Sequence, residues 1–97
     1  MTRERAAQII RAIQCEELPL HRAEHIWDSK SKHGLKLQDM YAVLRSHRME
    51  AAPKWNREHE NYEVALCGKC LEGRPVRLVL GLREKGPCRL ITIMVIN

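Results

Sequence analysis

Cys67-Gly68-Lys69-Cys70 is the stretch of this chain whose residue types and spacing most invite chemistry. Two thiolates with two residues between them can chelate one metal ion, and a structural zinc site needs four ligands. The other donors are His59 upstream and Cys88 downstream, so a His59/Cys67/Cys70/Cys88 site would be irregular in spacing. A redox pair is a weaker reading, because reactive pairs usually sit at a helix N-terminus in a thioredoxin-like setting. His21 and His25 lie four apart in a segment that reads as a helix, but Arg22 follows His21 where the zinc-protease motif requires Glu. Gly68-x-x-x-x-Gly73-Arg74 has the outline of a phosphate loop. It carries Arg where that loop needs Lys-Ser/Thr and joins two strands where that loop opens a helix, which excludes it.

Histidine and arginine together form a more coherent set. Metal-independent RNA cleavage needs a base for the 2′-OH proton, cations for the pentacoordinate phosphate and an acid for the leaving 5′ oxygen. Histidine titrates near neutrality and suits either proton role. Arginine offers a fork matched to phosphate oxygens. His25, Arg74, Arg77 and Arg89 would supply these parts if the helix face meets the sheet. The plainer alternative is that the arginines are solvated strand residues and His25 a surface side chain.

Charge points the same way. Formal net charge is +5, and Lys69, Arg74, Arg77, Arg83, Lys85 and Arg89 are opposed between positions 69 and 89 only by Glu72 and Glu84. The excess therefore sits on the predicted sheet, which favours an anionic partner, nucleic acid being the commonest. Four cysteines without a secretory context predict no lasting disulfides. No apolar run approaches a membrane span, and MTRERAAQIIRAI lacks the apolar core of a signal peptide, so the chain reads as cytoplasmic.

The elements that must position these residues follow from periodicity. Ninety-seven residues, 44% of them apolar, suffice for one packed domain with an aliphatic core, since there is no Phe. Ala6, Ile9, Ile10 and Ile13 make one helical stripe, capped by Thr2. A second helix is predicted from Leu20 to about Lys32, with Pro19 at its start and Gly34 as its stop. Leu37, Met40, Tyr41 and Leu44 mark a third, roughly Lys36 to His47. Met49 to Pro53 reads as a short edge strand and Lys54 to Asn61 as a loop. Tyr62 to Leu82 alternates with period 2 about a Gly/Pro-bounded turn and predicts a hairpin. Arg89 to Ile96, apolar on both faces, predicts a central strand. The expected class is α+β: two to three N-terminal helices on a three- to four-stranded antiparallel sheet.

The stretch His25, Ser29, His33-Gly34-Leu35, with Val43 and Leu44, resembles the opening helices of a family of small bacterial domains of unassigned function. That family shows a helical His, an Arg four residues on, and Arg-Gly-Ile eight residues after the His. Later matches are Tyr62-x-Val64, Gly68, Gly73-Arg74, the strand Val76 to Leu80 and Leu90-Ile91-Thr92-x-x-Val95, so the resemblance covers residues 20–96. Ser29 and His33 stand where the family has arginines. The family is similar in fold to the RelE/ParE and barnase-like ribonuclease toxins, whose active members cleave RNA with His, Arg and Thr or Ser and without metal. The resemblance thus implies a RelE/barnase-like fold and an endoribonuclease of the toxin–antitoxin type, with RNA as substrate, a cognate antitoxin as protein partner and no cofactor. It nominates His25, Arg74 and Thr92 as catalytic, with Lys69, Arg77, Arg83 and Arg89 lining the approach. A non-catalytic nucleic-acid or protein interaction module and a zinc-stabilised domain are the alternatives.

Overall fold

The computed structural model describes residues 1–22 and 34–96. Helix α1 spans Arg3–Gln14, strand β1 Leu20–Arg22 and helix α2 Leu37–Ser46. Strands β2 (Arg48–Met49), β3 (Lys54–Asn56), β4 (Asn61–Lys69), β5 (Pro75–Leu82) and β6 (Cys88–Val95) follow. No helix among the described residues is long and apolar enough to cross a membrane.

Local chemistry explains both helices. Thr2 Oγ1 accepts from the Arg5 amide at 3.1 Å, satisfying one of the free N–H groups that open α1. The stripe Ala6, Ile9, Ile10 and Ile13 is fully or almost fully buried. At the start of α2, Asp39 Oδ2 accepts from the Lys36 amide at 2.9 Å. Its other oxygen accepts from the Leu71 amide at 3.1 Å, fastening the helix to the β4–β5 turn.

The six-stranded sheet runs β1-β6-β5-β4-β2, with β3 also paired to β4. β4–β5 and β5–β6 are antiparallel, whereas β1 lies parallel to β6 with His21 opposite Arg89. Val64 and Leu66, then Val76, Leu78, Leu80 and Leu82, then Leu90 and Ile93 point into the core. From the helices Ile9, Ile10, Ile13, Met40, Val43 and Leu44 meet them there. Both described helices therefore cover the same face.

This corrects the expected class in its details. The sheet has six strands rather than three or four and is mixed rather than antiparallel, so the RelE/barnase-like arrangement does not describe it. Leu20–Arg22, predicted as the first turn of a helix, is an edge strand with Leu20 buried and the next two residues exposed. Three residues carry too little periodicity to separate the two outcomes. Lys54–Asn56, predicted as loop, pairs with Asn61–Glu63 as a short strand. The rest of the predicted second helix, including His25, Ser29 and His33, lies outside the described residues.

In β6 the register shifts by one residue: Thr92 faces Val79, but Leu90 faces Leu80, leaving Ile91 as a bulge. Leu90 and Ile93 thereby share the core side while Arg89 and Thr92 share the other. That interruption is why RLITIMVI looks apolar on both faces when read with strict alternation.

Candidate nucleic-acid interface

The sheet face turned away from the helices carries the polar side chains. Directly opposed residues on neighbouring strands point to the same side, which orders this face into rungs. One rung is His21, Arg89, Gly81, Glu63 and Lys54. The next holds Thr92, Val79 and Ala65, and a third Met94, Arg77, Cys67 and Arg48. Alternation along β4 and β5 adds Lys69 and Arg83 to the same side. Lys54, Arg48, Lys69, Arg77, Arg83 and Arg89 are thus arrayed with Glu50 and Glu63 as their neighbouring anions.

Individual contacts fix several of these groups. Arg77 Nη2 donates to Glu50 Oε2 at 2.9 Å, while its buried Nε has no hydrogen-bond partner among the described residues. Glu50 Oε1 accepts from the Cys67 thiol at 2.6 Å. Burial first, then the hydrogen bond to Glu50 and that carboxylate's charge, pushes the Cys67 thiol above its ordinary pKa. Arg83 Nη2 donates to the His59 carbonyl at 2.9 Å. Asn56 Nδ2 donates to Glu63 Oε2 at 2.6 Å, which orients that carboxylate. Asn61 is fully buried, its amide lying where a side chain at Gly81 would otherwise stand, and neither amide atom has a partner among the described residues.

Between the β2–β3 connection and this face lies a cavity of about 360 Å³. Ala65 and Val79, directly paired, form its floor, and Glu50, Lys54, Glu63 and Arg77 stand around it. Trp55 and Tyr62, edge to face with ring centroids 4.9 Å apart, lie on the helix side of the sheet and take no part in it.

The residues nominated from sequence are spread over the sheet. Thr92 is at mid-face, opposite Val79. Arg74 is in the β4–β5 turn, 3.5 Å from Glu72, and precedes Val79 by about 16 Å of extended chain at roughly 3.3 Å per residue. His25 lies outside the described residues. Arg77 and Arg89 are on the open face, Lys69 is exposed at the end of β4, and Arg83 immediately follows β5.

The two cysteines separate. Cys67 is on the open face beside Arg77, whereas Cys70 is buried in the core. They do not converge on one ion, and among the described residues no three His, Cys, Asp or Glu side chains come together. Glu50, Lys54 and Glu63 were not singled out from sequence. Glu63 was visible there as an outward residue between Tyr62 and Val64. Lys54 and Glu50 were hidden because their segments were read as a loop and an isolated edge. Set against protein-family models, curated proteins and solved structures, the chain matches none of them.

Proposed function

We propose that this protein binds single-stranded RNA along the open face of its sheet. The observation that carries the reading is that Lys54, Arg77 and Arg89 project from three strands on the side opposite the helices, around a floor of Ala65 and Val79. Small side chains let a flat base approach the strands, and the arginine forks and the lysine reach phosphates from either side. Arg77 supports this, since its side chain and that of Glu50, with which it pairs, are both partly exposed, at 44% and 37%. Half-exposed pairs hold by only about 0–1 kcal/mol, so a phosphate can share the guanidinium.

Fluorescence anisotropy with a labelled single-stranded RNA tests the reading. Affinity should fall steeply between about 50 and 200 mM salt, as counterion release requires. Arg77→Ala with Arg89→Ala should weaken binding to all sequences by about tenfold or more and flatten the salt dependence by roughly two phosphate contacts. Binding that ignores both salt and the two arginines would refute it.

A second reading, cleavage of the bound strand in the manner of a toxin-type endoribonuclease, is favoured by one observation. His21 is directly opposed to Arg89 on the exposed side of the β1–β6 pair. An imidazole, a side chain often used as general acid or base, thus stands beside a guanidinium fork. Incubation of the protein with labelled RNA decides it: fragments that vanish with His21→Ala support cleavage, and intact RNA at saturating protein leaves binding alone.

A further inference from the structure

We infer that the cavity over Ala65 and Val79 is a base-reading subsite selective for guanine, with Glu63 as the residue that reads it. The inference rests on the RNA-binding reading and adds specificity to it. The cavity, about 360 Å³, falls within the range of small-ligand pockets, roughly 300–1,000 Å³. Its floor is apolar, and the groups around its rim are not equivalent.

Along the strands Glu63 and Arg77 stand on either side of the Ala65–Val79 rung, about 13 Å apart at roughly 3.3 Å per residue. Both side chains line the cavity over that rung. A nucleotide laid along the groove would put its base on Ala65 and Val79, its phosphate at Arg77 and its Watson–Crick edge at Glu63. Arg77 suits its end, because Glu50 engages one Nη and the side chain remains half-exposed.

Glu63 decides which base fits. An ionised carboxylate only accepts hydrogen bonds, through two oxygens. Asn56 donates to Oε2 and so holds the group in place, leaving Oε1 and the second lone pair of Oε2 for a ligand. Guanine presents two adjacent donors, N1–H and N2–H, on its Watson–Crick edge. Adenine and cytosine each set an acceptor beside their amino group, and uracil flanks its single N–H with two carbonyls. Those acceptors would face the carboxylate's lone pairs, which disfavours all three bases.

The test uses four labelled RNA heptamers, six uridines around a central G, A, C or U, with anisotropy as the readout. The guanine oligomer should bind the full chain about tenfold more tightly than the others, the discrimination expected of one good bidentate contact. Inosine in place of guanosine keeps N1–H but removes the N2 donor, and should lose much of that preference. Glu63→Gln should abolish the preference, so that the guanine and uridine oligomers bind within about twofold of each other. Equal binding of all four oligomers by the wild-type protein would overturn the inference while leaving the RNA-binding reading standing. Failure of all four to bind would overturn both. The inosine arm needs no variant, so a folding defect in Glu63→Gln does not remove the test.

Discussion

At Cys67 the thiol proton sits between its own sulfur and a carboxylate oxygen, and the consequences are measurable. Partial burial and the hydrogen bond to Glu50 both favour the neutral thiol. A group whose proton is held more tightly in the folded chain than in the unfolded one stabilises the fold fully below the ordinary thiol range, about pH 8.5. That contribution is lost as pH rises through the raised value. Cys15 is exposed and serves as an internal reference. At about pH 8.5 iodoacetamide should therefore modify Cys67 several times more slowly than Cys15, as read by peptide mass spectrometry. Glu50→Gln removes the negative charge and should bring the Cys67 rate up towards that of Cys15. Equal rates in the unmodified protein would mean that the carboxylate does not hold the proton. Sequence spacing drew Cys67 and Cys70 together as a pair, but alternation along β4 and the turn that follows send them to opposite sides of the sheet. Spacing alone does not encode that divergence. The arginines were legible because charge excess survives any error of register, whereas Glu63 acquires meaning only once its neighbours across the strands are known.

Elements with long periodic patterns came through the sequence clearly, and those whose identity depends on a partner did not. The stripe of α1, the stripe of α2 and the β4–β5 hairpin each contain several turns or rungs of their own pattern. β1, β2 and β3 have two or three residues each and exist because β6 or β4 offers them an edge. The join between α2 and the hairpin shows what packing adds to pattern. Ser46 Oγ accepts from the Lys69 amide at 3.0 Å, and Gly68 lies directly beneath the end of α2. A Cβ at Gly68 would stand 2.8 Å from the Val43 carbonyl oxygen and 2.9 Å from Ser46 Oγ. The first of these is helix backbone, so relief requires moving α2 away from the sheet. Gly68→Ala should cost about 1–3 kcal/mol, the usual penalty for overpacking a fitted contact. In a domain of this size that lowers Tm by roughly 4–8 °C per kcal/mol, which differential scanning fluorimetry resolves. An unchanged Tm would show that α2 yields freely and is not held against β4.

For the molecule as a whole, the division into a helix-covered face and a charged face would couple the proposed RNA binding to stability. The core lies between the helices and one side of the sheet, so the basic face can engage a ligand without disturbing it. The same face brings Arg48, Arg77, Arg83, Arg89, Lys54 and Lys69 onto one surface in a chain of net charge +5, and their mutual repulsion opposes the compact state. An RNA that neutralises them should bind the folded chain far better than the unfolded one, where the cations are no longer arrayed. At about a hundredfold excess over Kd the stabilisation expected from mass action is about 2.7 kcal/mol. This corresponds to a rise in Tm of roughly 10–20 °C for a domain of this length. Added salt should act in two opposing ways. Without RNA it screens the repulsion and raises Tm slightly, whereas with RNA it weakens the phosphate contacts and removes the larger gain. The two melting series should therefore converge as salt increases, and the Arg77→Ala, Arg89→Ala double variant should show little RNA-dependent rise at any salt. Parallel series, with the RNA effect independent of salt, would place the stabilising contacts somewhere other than the basic face.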